Sequence, residues 1–160
     1  MSKDCFVFIE DNIDIKDISL QLLSEAQRIK QQHLSHVDNI VALYLTSEET
    51  DISKLYTYGA DRVILVKNDL LSPYHTVIYA DIIKQVVDEY NPSIFLIGGS
   101  ITGRDLAPRV SAKLQTGLTA DTTHLTIEDE TGLFLMTRPA FGGNINATIV
   151  CNEKNLKWQQ

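Results

Sequence analysis

Short apolar runs alternate with helical patterns through the first part of the chain, and this alternation limits the fold more than any other feature. The runs have the length and composition of strands buried on both faces. Successive parallel strands need crossover connections, which are right-handed and are usually helices. The sequence therefore predicts the α/β class, a three-layer α/β/α Rossmann-like domain with a mainly parallel sheet. The predicted strands are residues 5–10, 39–46, 61–66 and 93–99.

Amphipathic spacing predicts the helices that connect these strands. Apolar residues recur at steps of three and four in three segments. Acidic side chains lie at the start of the first segment, where the helix dipole favours negative charge. A glycine follows the second segment, and an Asn-Pro pair ends the third. The predicted helices cover residues 15–29, 51–58 and 79–90.

Beyond Gly117 the pattern changes to three extended segments separated by turn-forming residues. The turn sequences are DETG and FGGN, whose glycine, asparagine and aspartate residues favour tight reversals. Segments 122–128, 133–138 and 146–151 therefore predict a C-terminal antiparallel meander that finishes a single domain, residues 1–160. The polar end NEKNLKWQQ yields no predicted element.

Composition limits the location and the partners of the chain. It has 160 residues, 44% of them hydrophobic, and a net charge of −7, which fits one globular core and opposes binding to nucleic acid. No apolar stretch approaches the length of a membrane span, and the acidic start lacks the pattern of a secretion signal. We therefore expect a cytoplasmic protein without membrane insertion. Cys5 and Cys151 lie in apolar runs and are expected to be buried structural thiols.

A double glycine joins the fourth predicted strand to a further helix at the carboxyl edge of the sheet. Glycine permits positive φ and a close approach of the backbone, so it suits a sharp reversal. Thr102 and Asp105 have capping-box spacing, which makes Thr102 the predicted N-cap. Pro108 falls inside the helix, where it removes one backbone donor and predicts a kink or a looser turn.

This glycine turn has two interpretations, a cradle for a phosphate group and a tight structural corner. A helix N-terminus attracts anions, and the loops after strands one and four, residues 10–12 and 98–104, flank the expected topological switch point. The turn nevertheless matches neither G-x-G-x-x-G nor G-x-x-x-x-G-K-[ST]. Three roles are open for Arg104 in this turn: it binds a phosphate, forms a surface ion pair or contacts a subunit. The candidate cofactor-binding residues are Gly98, Gly99, Ser100, Thr102, Gly103 and Arg104.

The sequence predicts no catalytic site and no metal site. His33 and His36 lie three residues apart near the end of the first helix, but no third ligand accompanies them, and a solvated helix end is favoured. Ser100 lacks the G-x-S-x-G context of an activated nucleophile. We therefore expect the chain to act through binding and not through catalysis.

The most specific pattern in the chain lies in two segments, GRDLAPRVSAKLQTGLTADTTHL (residues 103–125) and RPAFGGNINATIVC (residues 138–151). Together they resemble the amino-terminal domain of the alpha subunit of electron transfer flavoprotein. The preceding order of strands and helices also fits, so the resemblance spans nearly the whole chain. It implies a heterodimeric FAD-containing carrier that accepts electrons from dehydrogenases, such as acyl-CoA dehydrogenases, and passes them to a quinone reductase or another acceptor.

The resemblance also implies a role for this particular domain. In that family a carboxyl-terminal domain holds most of the FAD contacts, and we expect that domain to be absent from this chain. We therefore expect the chain alone to bind no FAD and to serve as a scaffold and as an interface for the beta subunit. Because the alpha domain does not usually hold a nucleotide, the resemblance favours the structural corner over the phosphate cradle.

The matched segments supply the candidate partner contacts. An alternative function remains, that of a stand-alone adenine-nucleotide-binding module of the universal-stress-protein type, which would use the glycine turn for phosphate. The candidate interface residues are Arg104, Arg109, Arg138, Phe141 and Asn144.

Overall fold

A six-stranded parallel sheet forms the centre of the computed structural model, which describes residues 2–11, 14–140 and 145–150 and the backbone of residues 157–159. In chain order the elements are β1 (Cys5–Ile9), α1 (Asp17–Gln32), β2 (Ile40–Thr46), α2 (Ser53–Thr57), β3 (Arg62–Lys67), a 3-10 helix (Asp69–Leu71), α3 (Thr76–Tyr90), β4 (Ile94–Leu96), α4 (Ile101–Leu114), β5 (Leu118–Thr119), β6 (His124–Ile127), β7 (Phe134–Pro139), β8 (Asn146–Val150) and β9 (Lys157–Gln159). The sheet order is β3-β2-β1-β4-β9-β5, with every neighbouring pair parallel. The predicted α/β fold with a parallel sheet is confirmed.

Strand β1 divides the core into two layers because its side chains alternate between the faces of the sheet. Phe6 and Phe8 pack in the cluster formed with α3 and α4. Val7 and Ile9 pack on the opposite face, in the cluster formed with α1. Every residue of β1 is buried, with at most 3% of its surface exposed. Helices therefore cover both faces of the sheet, as the sequence predicts.

The helices follow their predicted stripes, but local contacts set their ends. The chain turns after β1, with the Lys16 amide donating to the Glu10 carbonyl at 2.8 Å, so α1 begins after the predicted Ile15. Helix α3 ends where predicted, and Asn91 after it adopts the left-handed conformation with φ 46°. None of the helices in the described residues has the length and apolar composition that crossing a bilayer requires.

Helix α4 packs closely against the end of β4. It continues through Pro108, so the looser turn predicted there is wrong. The proline removes one backbone hydrogen bond, and the complete burial of Leu106 and Val110 offsets that loss. Gly103 permits the close approach, because a Cβ built there would lie 1.8 Å from the carbonyl oxygen of Gly98.

The predicted C-terminal meander forms a second, antiparallel sheet with the order β6-β7-β8. Its inward side chains join the core cluster of α1, so the sheet lies on the α1 side of the domain. These inward residues are Leu125, Ile127, Phe134 and Met136. The antiparallel arrangement confirms the prediction made from the two turn sequences.

The end of α1 holds the turn between β6 and β7. The Nδ1 atom of His33 lies 2.7 Å from the Asp129 carboxylate, and its Nε2 atom lies 3.3 Å from the Thr126 hydroxyl. His33 is only 8% exposed. The predicted solvated helix end is therefore wrong at His33, because the second sheet covers it.

Two short strands, β5 and β9, join the parallel sheet without having been predicted. Strand β9 lies between β4 and β5, with Lys157 opposite Ile94 and Trp158 opposite Leu118. The chain therefore returns to the central sheet after the meander, and the prediction that the meander finishes the domain is wrong. A three-residue strand carries too little periodicity to be detected in a polar segment.

Cys5 is a buried free thiol, as predicted. Burial, with a smaller effect of the neighbouring Asp4 carboxylate, raises the pKa of this thiol to about 12. The reactive thiolate form is therefore suppressed at neutral pH, which fits a structural role. The prediction for Cys151 falls outside the described residues.

We expect Gly103→Ala to destabilise the fold by about 3 kcal/mol, because the added methyl group would overlap the Gly98 carbonyl oxygen and push α4 away from β4. Gly99→Ala is the matched control, since no atom lies within 4 Å of a Cβ built there. The control should change the free energy of unfolding by less than about 0.5 kcal/mol. Urea denaturation followed by circular dichroism measures both values, and equal stability of the two variants would contradict the close approach.

Candidate functional site

The carboxyl ends of β1 and β4 meet at the centre of the parallel sheet, where the strand order reverses. Strand β1 pairs with β2 on one side and with β4 on the other. This position is the predicted topological switch point, at which open α/β sheets bind ligands. The loops that follow the two strands bring Glu10 and Ser100 into contact across the junction.

The buried carboxylate of Glu10 occupies this junction, with 5% of the residue exposed. The Ser100 hydroxyl donates a hydrogen bond to it, and the Lys16 ammonium group forms an ion pair with it. The backbone amide of Glu10 donates to the Ser19 hydroxyl at 2.8 Å, which fixes the loop. The protein thus places its own anion beside the N-terminus of α4, where the helix dipole favours negative charge.

Ser100 is the N-cap of α4, so the prediction of Thr102 as the N-cap is wrong. The Ser100 hydroxyl accepts a hydrogen bond from the Gly103 amide at 3.0 Å, while its backbone is extended with φ −75° and ψ 175°. Asp105 does not complete a capping box and instead accepts a hydrogen bond from the Tyr74 hydroxyl at 2.9 Å. The helix starts earlier than predicted because the backbone leaves the extended conformation directly after Ser100.

The Arg104 side chain folds back over the glycine turn. Its Nε atom donates to the Gly99 carbonyl at 3.2 Å, and its guanidinium group pairs with the Asp121 carboxylate at 2.6 Å. The side chain of Arg104 is 59% exposed, so this ion pair contributes little to stability. Of the roles that the sequence left open for Arg104, the surface ion pair is present in the structure.

Four of the predicted site residues line one crevice on the α1 side of the turn. Gly98, Gly99 and Arg104 form part of its wall, and Arg138 reaches it from β7. The crevice has a volume of about 570 Å³. We call it the arginine crevice. It is the place where the structure brings the candidate cofactor-binding and partner-interface residues together.

The remaining predicted residues lie elsewhere. Thr102 lines a separate crevice of about 380 Å³ at the ends of β1 and β2, together with Glu10 and Tyr74. Arg109 is exposed on α4 and forms no ion pair with any residue that the structure describes. Gly103 is buried on the face of α4 that packs against the chain after β4. The predictions for Phe141 and Asn144 fall outside the described residues.

Sequence reasoning missed the part that three side chains play at this edge. The sequence predicts that the loop containing Glu10 flanks the switch point, but it does not predict the burial of Glu10 or its contact with Ser100. Asp121 and Thr122 lie just after β5 and gave no signal, because the strand before them has only two residues. All three depend on contacts between segments that are distant in the sequence.

The fold and its switch point define a Rossmann-like α/β domain, and the sequence identifies its family. Residues 5–157 match the family model described as Electron transfer flavoprotein domain. This match covers nearly the whole chain, so the chain belongs to the electron transfer flavoprotein family. The resemblance carried by the two C-terminal segments is confirmed.

Curated relatives agree with the family match. The chain is 44% identical to electron transfer flavoprotein subunit alpha of Thermoanaerobacterium thermosaccharolyticum, over 95% of the chain and 46% of that protein. It is 41% identical to Protein FixB of Clostridium saccharobutylicum, over 94% of the chain and 45% of the relative. It is 37% identical to acryloyl-CoA reductase electron transfer subunit beta of Anaerotignum propionicum, over 93% of the chain and 46% of the relative. The chain spans slightly less than half the length of each of these relatives.

We expect Ser100→Ala to lower the free energy of unfolding by about 1–2 kcal/mol, because it removes the cap of α4 and one donor to the buried Glu10 carboxylate. Thr102→Ala is the matched control on the same helical turn. It should change stability by less than about 0.5 kcal/mol, since the Thr102 hydroxyl does not cap the helix. Thermal and urea denaturation measure the stability of both variants. A larger loss of stability in Thr102→Ala than in Ser100→Ala would identify Thr102 as the cap.

Proposed function

We propose that the chain is part of an FAD-containing electron carrier, in which this domain serves as a scaffold and as an interface for a beta subunit. The whole carrier would accept electrons from dehydrogenases, such as acyl-CoA dehydrogenases, and pass them to a quinone reductase or another acceptor. Membership of the electron transfer flavoprotein family supports the carrier role. The observation that carries the scaffold role is the buried Glu10 carboxylate at the switch point.

Glu10 favours a structural corner because it lies where a nucleotide phosphate would bind. A phosphate at the N-terminus of α4 would face the negative charge of Glu10 and would have to replace its contacts with Ser100 and Lys16. The Gly103 amide, which a phosphate would use, already donates to Ser100. These residues do not fit the pyrophosphate of FAD. We therefore place the FAD contacts outside this turn, in another part of the carrier.

The carboxyl edge offers a surface that suits a protein partner. Ile101 is 91% exposed on the first turn of α4, and Arg104 lies one turn further along the same face. The buried core of a protein interface is more apolar than the rest of the surface, and arginine is enriched in interfaces, so this pair has a composition that suits a protein contact. Arg109 adds a second exposed cation on α4. We propose that this surface, with Arg138 and the segment containing Phe141 and Asn144, contacts the beta subunit or the flavin-binding part.

Mixing the chain with its cognate beta subunit tests this role. We expect a stable complex by analytical ultracentrifugation, and we expect Ile101→Asp to weaken its dissociation constant at least about tenfold, because a charge would replace a buried apolar contact. Leu34→Asp is the matched control, since Leu34 is also highly exposed, at 69%, but lies after α1 at the opposite edge of the sheet. It should leave the affinity unchanged.

Two results would contradict the proposal. One is the absence of a complex between the intact chain and the beta subunit at low and at physiological salt. The other is tight binding of AMP or ATP by the chain alone, which would favour the stand-alone nucleotide-binding module. Calorimetric titration with both nucleotides, repeated with FAD, distinguishes these functions.

A further inference from the structure

We propose that the arginine crevice binds a small organic oxyanion, a phosphate or carboxylate group, between Arg104 and Arg138. The crevice is distinct from the N-terminus of α4, where Glu10 already supplies the negative charge, and Glu10 does not line it. This binding site goes beyond the scaffold role and does not depend on it. The proposed anion site lies on the side of the glycine turn that faces α1, and not at the N-terminus of α4.

The shape of the crevice suits a ligand of a few heavy atoms or more. Its volume of about 570 Å³ lies within the usual range of small-molecule sites, roughly 300–1,000 Å³. Four parts of the fold border it, namely α1, the β4–α4 turn, the connection between β5 and β6, and the second sheet. No atom lies within 4 Å of a Cβ built on Gly99, so a ligand has room to approach the backbone of the turn. The wall of the crevice therefore carries no side-chain bulk at Gly99.

The charges in the crevice favour an anion. Arg138 is partly buried on β7, and no described residue forms an ion pair or a side-chain hydrogen bond with it. Arg104 is held in position by the Gly99 carbonyl and by Asp121. Two guanidinium groups thus face one carboxylate, in a chain whose net charge is −7. A planar guanidinium group binds phosphate and carboxylate oxygens in a two-point geometry, so Arg138 is the principal anchor.

Thr122 supplies an independent observation that points to a ligand. Its hydroxyl oxygen is buried and has no hydrogen-bond partner among the described residues, and the residue itself lines the crevice. A buried polar group without a partner costs about 1–3 kcal/mol, and a ligand oxygen that accepts from this hydroxyl would remove the cost. Ile18 and Leu22 of α1 form an apolar wall beside these polar groups. The ligand would therefore carry an apolar or ring portion next to its oxyanion.

Titration of the intact chain with inorganic phosphate, phenyl phosphate and benzoate tests the site, with nuclear magnetic resonance as the measurement. We expect saturable shifts of the Gly98, Gly99 and Thr122 amides. Phenyl phosphate should bind more tightly than inorganic phosphate because its ring contacts the apolar wall. The comparison of phenyl phosphate with benzoate identifies whether the site prefers a phosphate or a carboxylate.

Variants separate a specific site from general attraction between charges. Arg138→Ala should weaken binding of the preferred probe at least about tenfold. Arg138→Lys keeps the charge but loses the two-point geometry of the guanidinium group, so it should weaken binding less. Arg109→Ala removes the same charge from an exposed position outside the crevice and should leave the affinity unchanged. Thr122→Val should weaken binding about threefold through loss of the hydroxyl.

The absence of saturable binding of all three probes up to about 20 mM would overturn the proposal. Equal weakening by Arg138→Ala and Arg109→Ala would also overturn it, because general charge would then explain the binding. The spectra of the unliganded variants report whether each one is folded. If Arg138→Ala unfolds, the Arg138→Lys and Thr122→Val affinities decide the question. Failure of these tests leaves complex formation with the beta subunit unaffected, so the two proposals fail separately.

Discussion

Burial of β1 on both faces is the constraint on which the rest of the structure depends. Every side chain of Cys5–Ile9 is buried, and the strand pairs in parallel with β2 and with β4. Parallel neighbours need crossover connections, so helices must cover the two faces, and the alternating side chains of β1 give each layer an apolar surface. The carboxyl end of β1 consequently lies at the centre of the sheet. Whatever residue follows it lies at the switch point.

That residue is Glu10, and its carboxylate decides the chemistry of this edge. A buried charge needs partners, and Glu10 has them in Ser100 and Lys16. The contact with Ser100 joins the loop after β1 to the cap of α4, so a protein side chain occupies the place where related architectures hold a phosphate. Positive charge lies instead on the other side of the turn, in the arginine crevice. Glu10 lines one crevice at this edge, and Gly98, Gly99 and the two arginines line the other.

The second sheet changes what the domain presents to a ligand or a partner. It packs against the α1 layer and buries His33 at the end of that helix. The same packing brings Arg138 from β7 to the glycine turn, although the two lie far apart in the sequence. The arginine crevice therefore exists only because a helix, a turn and a strand from separate segments meet. A parallel sheet with helices alone would leave this side of the turn open to solvent.

Local patterns in the sequence were sufficient to predict the parallel sheet, the helices and the antiparallel meander, because periodicity and turn chemistry act over a few residues. The family match also needed only the sequence. Local patterns predicted Thr102 as the cap in place of Ser100, and they neither detected β9 nor predicted the burial of His33. Each of these depends on backbone or side-chain partners from distant segments, and such partners meet only when the layers pack. The sequence by itself determined the elements and the family, while the tertiary structure decided which charged groups are buried, which are paired and which remain available for binding.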